Sequence, residues 1–227
     1  MTYLSDDRAH SGAPATDERR ASRRSMGCLF EVVETLVLTL LIYLVIHNFV
    51  AQPFEVEQSS MIPTIAPHEY VLIDKLTPRW EEYARGDIVV FQPPAGYEQG
   101  GVPFIKRVIG VPGDMIRLEN GRVFVTPRGG NPTLLEEPYV ATELDGSTVP
   151  TQPRSAEGTA EWTIVDGTYF MMGDNRQQSQ DSRAFGSIAE DLITGRAWVR
   201  YFPLDRFGFV SDPDYGQLSV DENAGAG

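Results

Sequence analysis

Three short runs hold the residues of this chain that could do chemistry. In Gln58-Ser59-Ser60-Met61-Ile62-Pro63-Thr64, Pro63 blocks helix continuation, so Ser60 sits on an irregular turn. A serine there can present its hydroxyl outward and keep its own backbone N–H for an oxyanion. A serine is a weak nucleophile until a base takes its proton. Lys106, one of only two lysines, lies in Phe104-Ile105-Lys106-Arg107-Val108-Ile109. Strand alternation puts Phe104 and Val108 on its face, and desolvation there lowers a lysine pKa, by up to about 3–5 units when burial is complete. A neutral amine can then act as the base, whereas the guanidinium of Arg107 stays protonated. His10, His47 and His68 stand in the polar N-terminus, the apolar segment and a Pro-rich turn, so a Ser-His-Asp relay has no evident histidine. The third run is Gly173-Asp174-Asn175-Arg176-Gln177-Gln178-Ser179-Gln180-Asp181-Ser182-Arg183. Its aspartates and arginines can pair and stiffen a loop, and Ser179 or Ser182 could orient a lysine amine. Taken singly, each run also reads as something ordinary: a loop serine, a lysine snorkelling at a strand edge, a solvated turn with surface ion pairs.

The elements that must position these runs are mostly strands. Tyr70–Asp74, Asp87–Phe91, Phe104–Ile109, Thr168–Met172 and Arg196–Phe202 are short, rich in β-branched or aromatic residues, and bounded by Gly, Pro or Asp. Met115–Glu119 and Arg122–Thr126 flank Asn120-Gly121, the preferred dipeptide of a type I′ hairpin. The expected fold is mostly β: antiparallel sheets in a partly open barrel or sandwich, with one N-terminal transmembrane α-helix. Residues 52–115 and 165–210 would form one β core around an insertion, 116–164. Within it, 127–161 is dominated by Pro, Gly, Thr and Glu and reads as irregular. Residues 1–28, a basic tail, and 211–227 have the composition of disordered segments.

Leu29 to Ala51 is mostly apolar, and about 23 helical residues span roughly 34 Å, enough for a hydrocarbon core. The apolar run continues into Phe49-Val50-Ala51-Gln52-Pro53-Phe54 without an Ala-x-Ala site, which favours a retained anchor over a cleaved leader. Arg19, Arg20, Arg23 and Arg24 precede it, while Glu55 and Glu57 follow. The positive-inside rule then puts the N-terminus in the cytoplasm and the rest of the chain on the outer face of the plasma membrane. The net charge of -13 argues against nucleic acid. A lone cysteine, Cys28, excludes an internal disulfide framework and a multi-cysteine metal site. No metal or organic cofactor is implied, since the chain has neither HExxH nor a Gly-rich phosphate loop.

Ser-Met-x-Pro-Thr after an apolar segment, Lys106-Arg-Val-Ile-Gly-Val-Pro-Gly-Asp114 and the Gly173–Arg183 run together resemble the motif boxes of bacterial type I signal peptidases, or leader peptidases. The resemblance covers about residues 50–115 and 165–205. It implies a serine endopeptidase that removes signal peptides from exported preproteins, with Ser60 as nucleophile, Lys106 as general base and Ser179 orienting the amine. Gly173, Asp174, Asn175, Arg176, Asp181 and Arg183 would shape the supporting loop. The same resemblance implies that the core of 52–115 and 165–210 is catalytic and the insertion, 116–164, non-catalytic. Some family members carry an oxyanion-stabilising serine two positions before the nucleophile. Here Gln58 stands in that place, and its amide would join the Ser60 N–H as donor. Val56, Met61 and Ile105 are the expected walls of shallow pockets for small residues before the cut. The expected partners are signal peptides and the lipid bilayer, with proximity to the export channel. A self-cleaving Ser-Lys repressor would carry a DNA-binding module and no anchor. A penicillin-binding type of enzyme is excluded, because neither lysine stands three positions after a serine. A catalytically silent, anchored β-domain that binds peptides or envelope proteins is the competing reading.

Overall fold

A computed structural model of the chain describes residues 17–97, 101–143, 147–155, 158–210, 213 and 215, with side chains from residue 30 onward. It divides into two units, residues 1–46 and 47–227. In the first, helix α1 runs over Asp17–Val45. It therefore begins twelve residues before the expected anchor: 17–28, read from composition as disordered, are helical, and residues 1–16 of that expected tail lie outside the described residues. The cause is legible in hindsight, because the Arg, Ala and Glu residues there are good helix formers. The regular α-helix ends at Val45, Ile46–Val50 form a wider π turn, and Ala51 already belongs to a strand. The stretch Phe30–Val50 is long and apolar enough to cross a membrane, with mean hydropathy 1.9 and no buried face. Thr35 and Thr39 return their hydroxyls to the carbonyls of Glu31 and Thr35, which hides two polar groups that lipid could not satisfy.

The second unit is built from antiparallel strands: β1 (Ala51–Glu55), β2 (Tyr70–Asp74), β3 (Ile88–Phe91), β4 (Phe104–Gly110), β5 (Met115–Glu119), β6 (Arg122–Thr126), β7 (Thr133–Leu134), β8 (Glu161–Thr163), β9 (Thr168–Met172), β10 (Ile188–Ala189), β11 (Ile193–Phe202) and β12 (Gly208–Phe209). A short helix, α2, spans Ser182–Phe185. The larger sheet has the order β1-β2-β11-β3-β4-β9-β10, with β12 paired to β11. Its strands curl into a half-barrel, with register shifts along β11 and in the β4–β9 pair. The smaller sheet, β7-β6-β5-β8, occupies the expected insertion. Its hairpin turns at Asn120 and Gly121 with φ of 50° and 77°, the left-handed pair that a type I′ turn requires.

Two neighbouring cores fill the larger sheet. One gathers Val56, Met61, Ile65, Val71, Ile73, Ile88, Val90, Ile105 and Ala197. The other joins Phe104 and Val108 to Tyr83, Phe91, Tyr169 and Met171. Every residue of β4 is buried, including Lys106 and Arg107, because β4 lies between β3 and β9 and is covered on both faces. The smaller sheet packs its own core around Ile116, Val123, Val125, Ile164 and Phe170. Pro213 and Tyr215, in a region whose composition reads as disordered, lie against Gly86, and Tyr215 also packs on this third core.

Candidate active site

The turn that presents Ser60 is a loop pinched at its neck. Val56 N–H donates to Glu69 O, and His68 N–H donates to Val56 O, at 2.9 and 2.7 Å. Beyond the neck, Ser59–Met61 form a single 3₁₀ turn. Met61 and Ile65 anchor its underside in the core, so the serine is held by apolar packing below and by polar contacts beside it. Ser60 O accepts from Asn175 N–H at 2.9 Å, and Ser59 O accepts from the Asn175 side chain at 3.1 Å. Ser60 N–H has no protein acceptor among the described residues.

Lys106 comes to this turn from β4. Its register with β3 pairs it with Val89, and Arg107 opposite Met172 on β9 sets Gly173 at the next step beside Lys106. The side chain is 0% exposed. Nζ lies 2.8 Å from Ser60 Oγ and 2.9 Å from Ile105 O, and 4.8 Å from the centre of the Phe104 ring. Burial pushes the amine down to about 8, against the pull of the Asp181 and Asp174 charges, which favour the ammonium. When the amine is neutral, the hydrogen bond reverses: the Ser60 hydroxyl donates to the lysine lone pair.

The loop after β9 is stiffened by buried charge pairs. Asp174 accepts two bonds from Arg107, at 2.9 and 2.8 Å, and a third from Thr64 Oγ1. Asp181 accepts from Arg183 Nε at 2.8 Å and Nη2 at 2.7 Å, and from Gly173 N–H at 3.0 Å. Burial alone would raise Asp181, but the Arg183 bonds and charge outweigh it and hold the carboxyl below its ordinary value. Ser182 Oγ accepts from Met171 N–H at 2.9 Å, tying α2 to β9.

The smaller sheet's region also contributes. Arg176 is fully enclosed, donates to Gly173 O and Thr151 Oγ1, and is gripped by both oxygens of Glu137. Arg183 reaches Gln152 O as well. The region 116–164, expected as a non-catalytic insertion, thus supplies contacts that brace the loop. Glu137 and Thr151, which carry no motif and lie in Pro/Gly/Thr-rich sequence, brace the loop from outside.

The structure brings Ser60, Lys106, Asn175 and the loop residues Gly173, Asp174, Arg176, Asp181 and Arg183 into one cluster. Ser179 is buried beside Gly173, yet its hydroxyl makes no bond of good geometry, and Lys106 is fixed by Ile105 O in its place. The hydroxyl still lies near enough to Asp181 to add a little to that carboxylate's stabilisation. Gln58 precedes the 3₁₀ turn, partly exposed, with no bond from its side chain to the turn. Val56, Met61 and Ile105 are 0–2% exposed, and they support the site from beneath with almost no accessible wall. The residues missed in the sequence are Thr64, Arg107, Glu137 and Thr151, while Ser182, the alternative to Ser179 for orienting the amine, accepts from Met171 N–H instead. Arg107 alone had a signal, a guanidinium in a buried strand that needs a carboxylate partner.

The family model described as signal peptidase, peptidase S26 matches residues 29–202 of this chain. The chain belongs to the S26 signal peptidase family. Among relatives, a probable signal peptidase I-2 of Synechocystis sp. is 33% identical over 184 residues, covering 80% of this chain and 77% of the relative. The signal peptidase I of Leptolyngbya laminosa is 32% identical over 189 residues, covering 82% and 85%. A probable signal peptidase I-1 of Synechocystis sp. is 34% identical, covering 78% and 85%. The matched span takes in both sheets of this signal peptidase-family chain apart from β12, with the Ser60 turn and the Gly173–Arg183 loop. Membership supports peptidase activity on proteins that bear signal peptides.

Gly173 offers a first check on the geometry. A Cβ there would overlap Ser179 Oγ and Ser60 O, and the second is backbone that cannot rotate away. Gly173→Ala should therefore displace the serine turn and lower kcat about 10- to 100-fold in a protein that still folds, measured on a preprotein substrate.

Proposed function

We propose that this chain is a membrane-anchored serine endopeptidase that cuts signal peptides from exported preproteins with a Ser60–Lys106 dyad. The observation that carries this reading is a fully enclosed lysine amine 2.8 Å from a serine oxygen. Neutral Lys106 takes the Ser60 proton as Oγ attacks the scissile carbonyl. Ser60 N–H stabilises the oxyanion, and the Gln58 amide is the candidate second donor. The new ammonium then protonates the departing amine, leaving the signal-peptide side as an ester on Ser60. A water deprotonated by the same lysine releases it. Ser179 contributes through the shape of the loop and its contact with Asp181. The substrate would bind extended, as an added strand. Phe30–Val50 anchors the chain in a single pass, the arginines before it cytoplasmic and the β unit outside.

Cleavage should rise with pH as the amine loses its proton. With Lys106 pushed down to about 8, kcat/KM should climb about tenfold per unit below that value and level off above about pH 9. A rate flat from about pH 5 to 9 would remove the lysine base. The decisive assay uses the full chain in detergent with a preprotein, the products mapped by mass spectrometry. One cut after a small residue is expected; tight binding with no cut would establish the silent module.

A further inference from the structure

Residues far from the dyad converge on its loop through one aromatic side chain. Tyr139, in the region of the smaller sheet, lies with its ring 4.0 Å from the Arg107 guanidinium carbon and 6.0 Å from that of Arg176. These two arginines hold the loop at different points, Arg107 through Asp174 and Arg176 through Gly173 O. The Tyr139 hydroxyl donates to Glu137 Oε1 at 3.1 Å, and Glu137 in turn grips Arg176. Tyr139 thus connects both clamps. What closes it from the other side is Tyr215, beyond β12, whose hydroxyl donates to the Tyr139 hydroxyl at 2.8 Å.

The seat for Tyr215 is shaped to admit it. Gly86 holds φ +102°, and a Cβ on it would stand 3.1 Å from the Tyr215 ring and 3.3 Å from Pro213. The carbonyl of this same glycine accepts from Arg107 Nη1 at 2.8 Å. Tyr215 therefore meets the Arg107 clamp twice, once over Gly86 and once through Tyr139. The polar links run unbroken from Tyr215 to Tyr139, Glu137, Arg176 and Gly173. Asn175, two residues on, donates to Ser60 O. Ordered donors and acceptors of this kind, away from water, hold geometry more firmly than the same groups when hydrated.

We infer that Tyr215 is a positioning residue for the Ser60–Lys106 dyad: Pro213 and Tyr215 lie over Gly86, and Tyr215 locks Tyr139 against the two arginines that set the catalytic loop. Tyr215 touches no reacting atom. Its effect is to keep the loop, and with it the Ser60 carbonyl and the dyad distance, at the reactive geometry. Because it does not border the serine turn, its loss should act on turnover and leave substrate binding alone. This inference rests on the proposed peptidase reading.

The test compares full-length wild type, Tyr215→Ala, Tyr215→Phe and Tyr139→Phe on one preprotein, well below their melting temperatures, with Ser60→Ala as the inactive control. Tyr215→Ala should lower kcat about tenfold with KM unchanged, and Tyr215→Phe, which keeps the ring over Gly86, should recover much of that loss. Amide hydrogen exchange across 173–183 should quicken in Tyr215→Ala. Should Tyr215→Ala fail to fold, Tyr139→Phe, which cuts the hydroxyl relay but keeps the ring on Arg107, should still lower kcat severalfold. Wild-type kcat in the folded variants, with or without a lower Tm, would overturn the inference and make Tyr215 merely structural. If wild type itself does not cleave, it is the peptidase reading that fails, and unchanged exchange across 173–183 in Tyr215→Ala would then sink the positioning role of Tyr215 independently.

Discussion

Replacing Lys106 by methionine should cut kcat/KM on a preprotein by at least about 10³-fold while leaving the fold as stable or more so. Both halves follow from one fact. The amine is 0% exposed and its bonds go to Ser60 Oγ and Ile105 O, so the folded protein keeps a group that would be better solvated outside. Methionine fills nearly the same volume without that cost. Ser60→Ala should match the loss of activity, and the double variant should be no worse than either single one, because the two groups act as a unit. The pH dependence of stability supplies a separate signature. Lys106 titrates near 8 in the folded chain and near the ordinary lysine value when unfolded. Between about pH 8 and 10.5 the unfolded chain binds a proton that the folded chain lacks, so stability gains with rising pH there, by about 3 kcal/mol across the window. Lys106→Met should erase that gain in denaturant titrations. Retained cleavage in Lys106→Met would discard the dyad outright.

The second large effect concerns Asp174. Removing its carboxylate leaves Arg107 buried without its charge partner and Thr64 without its acceptor. Breaking a buried pair from one side costs about 3–5 kcal/mol. Asp174→Ala should therefore lower Tm by roughly 10 °C, since about 2–4 °C accompanies each kcal/mol in a domain of this size. Activity should fall with it, because Thr64 and the loop bound the serine turn from two sides. Asp174→Asn is milder and more informative. It keeps much of the shape but deletes a charge that favours the Lys106 ammonium, so the midpoint of the pH–rate curve should move below its wild-type position. A midpoint displaced toward alkaline pH would mean that hydration of Lys106, not this charge, dominates the site.

Much of this molecule is local, and the local part is legible in the chain. Tyr70–Asp74, Met115–Glu119, Arg122–Thr126 and Thr168–Met172 match strands residue for residue, because β-branched and aromatic runs bounded by turn formers have few alternatives. Asn120-Gly121 determined its hairpin for the same reason. Ser60, Lys106 and the Gly173–Arg183 run stood out because each sits oddly in its surroundings: a serine before a proline, a lysine inside an apolar strand, a dense polar run after one. The short strands β7, β10 and β12 were not visible, since two residues carry no periodicity and exist only as partners of longer neighbours.

What tertiary structure alone decided is proximity. Nothing local relates Ser60 to Lys106 or to Asn175. Only the order β3-β4-β9 and the register of Arg107 with Met172 put the lysine beside the start of the loop that holds the serine carbonyl. The same holds for Glu137 and Thr151, which lie in sequence without strand or motif signal, and for Tyr215, which sits in a stretch that composition alone assigns to disorder. Their partners are distant in the chain, and a hydrogen bond or a buried ion pair leaves no periodicity behind. Residue type and spacing set which chemistry was available to this protein. Burial and long-range register set whether the lysine is stripped of water and where its lone pair can reach.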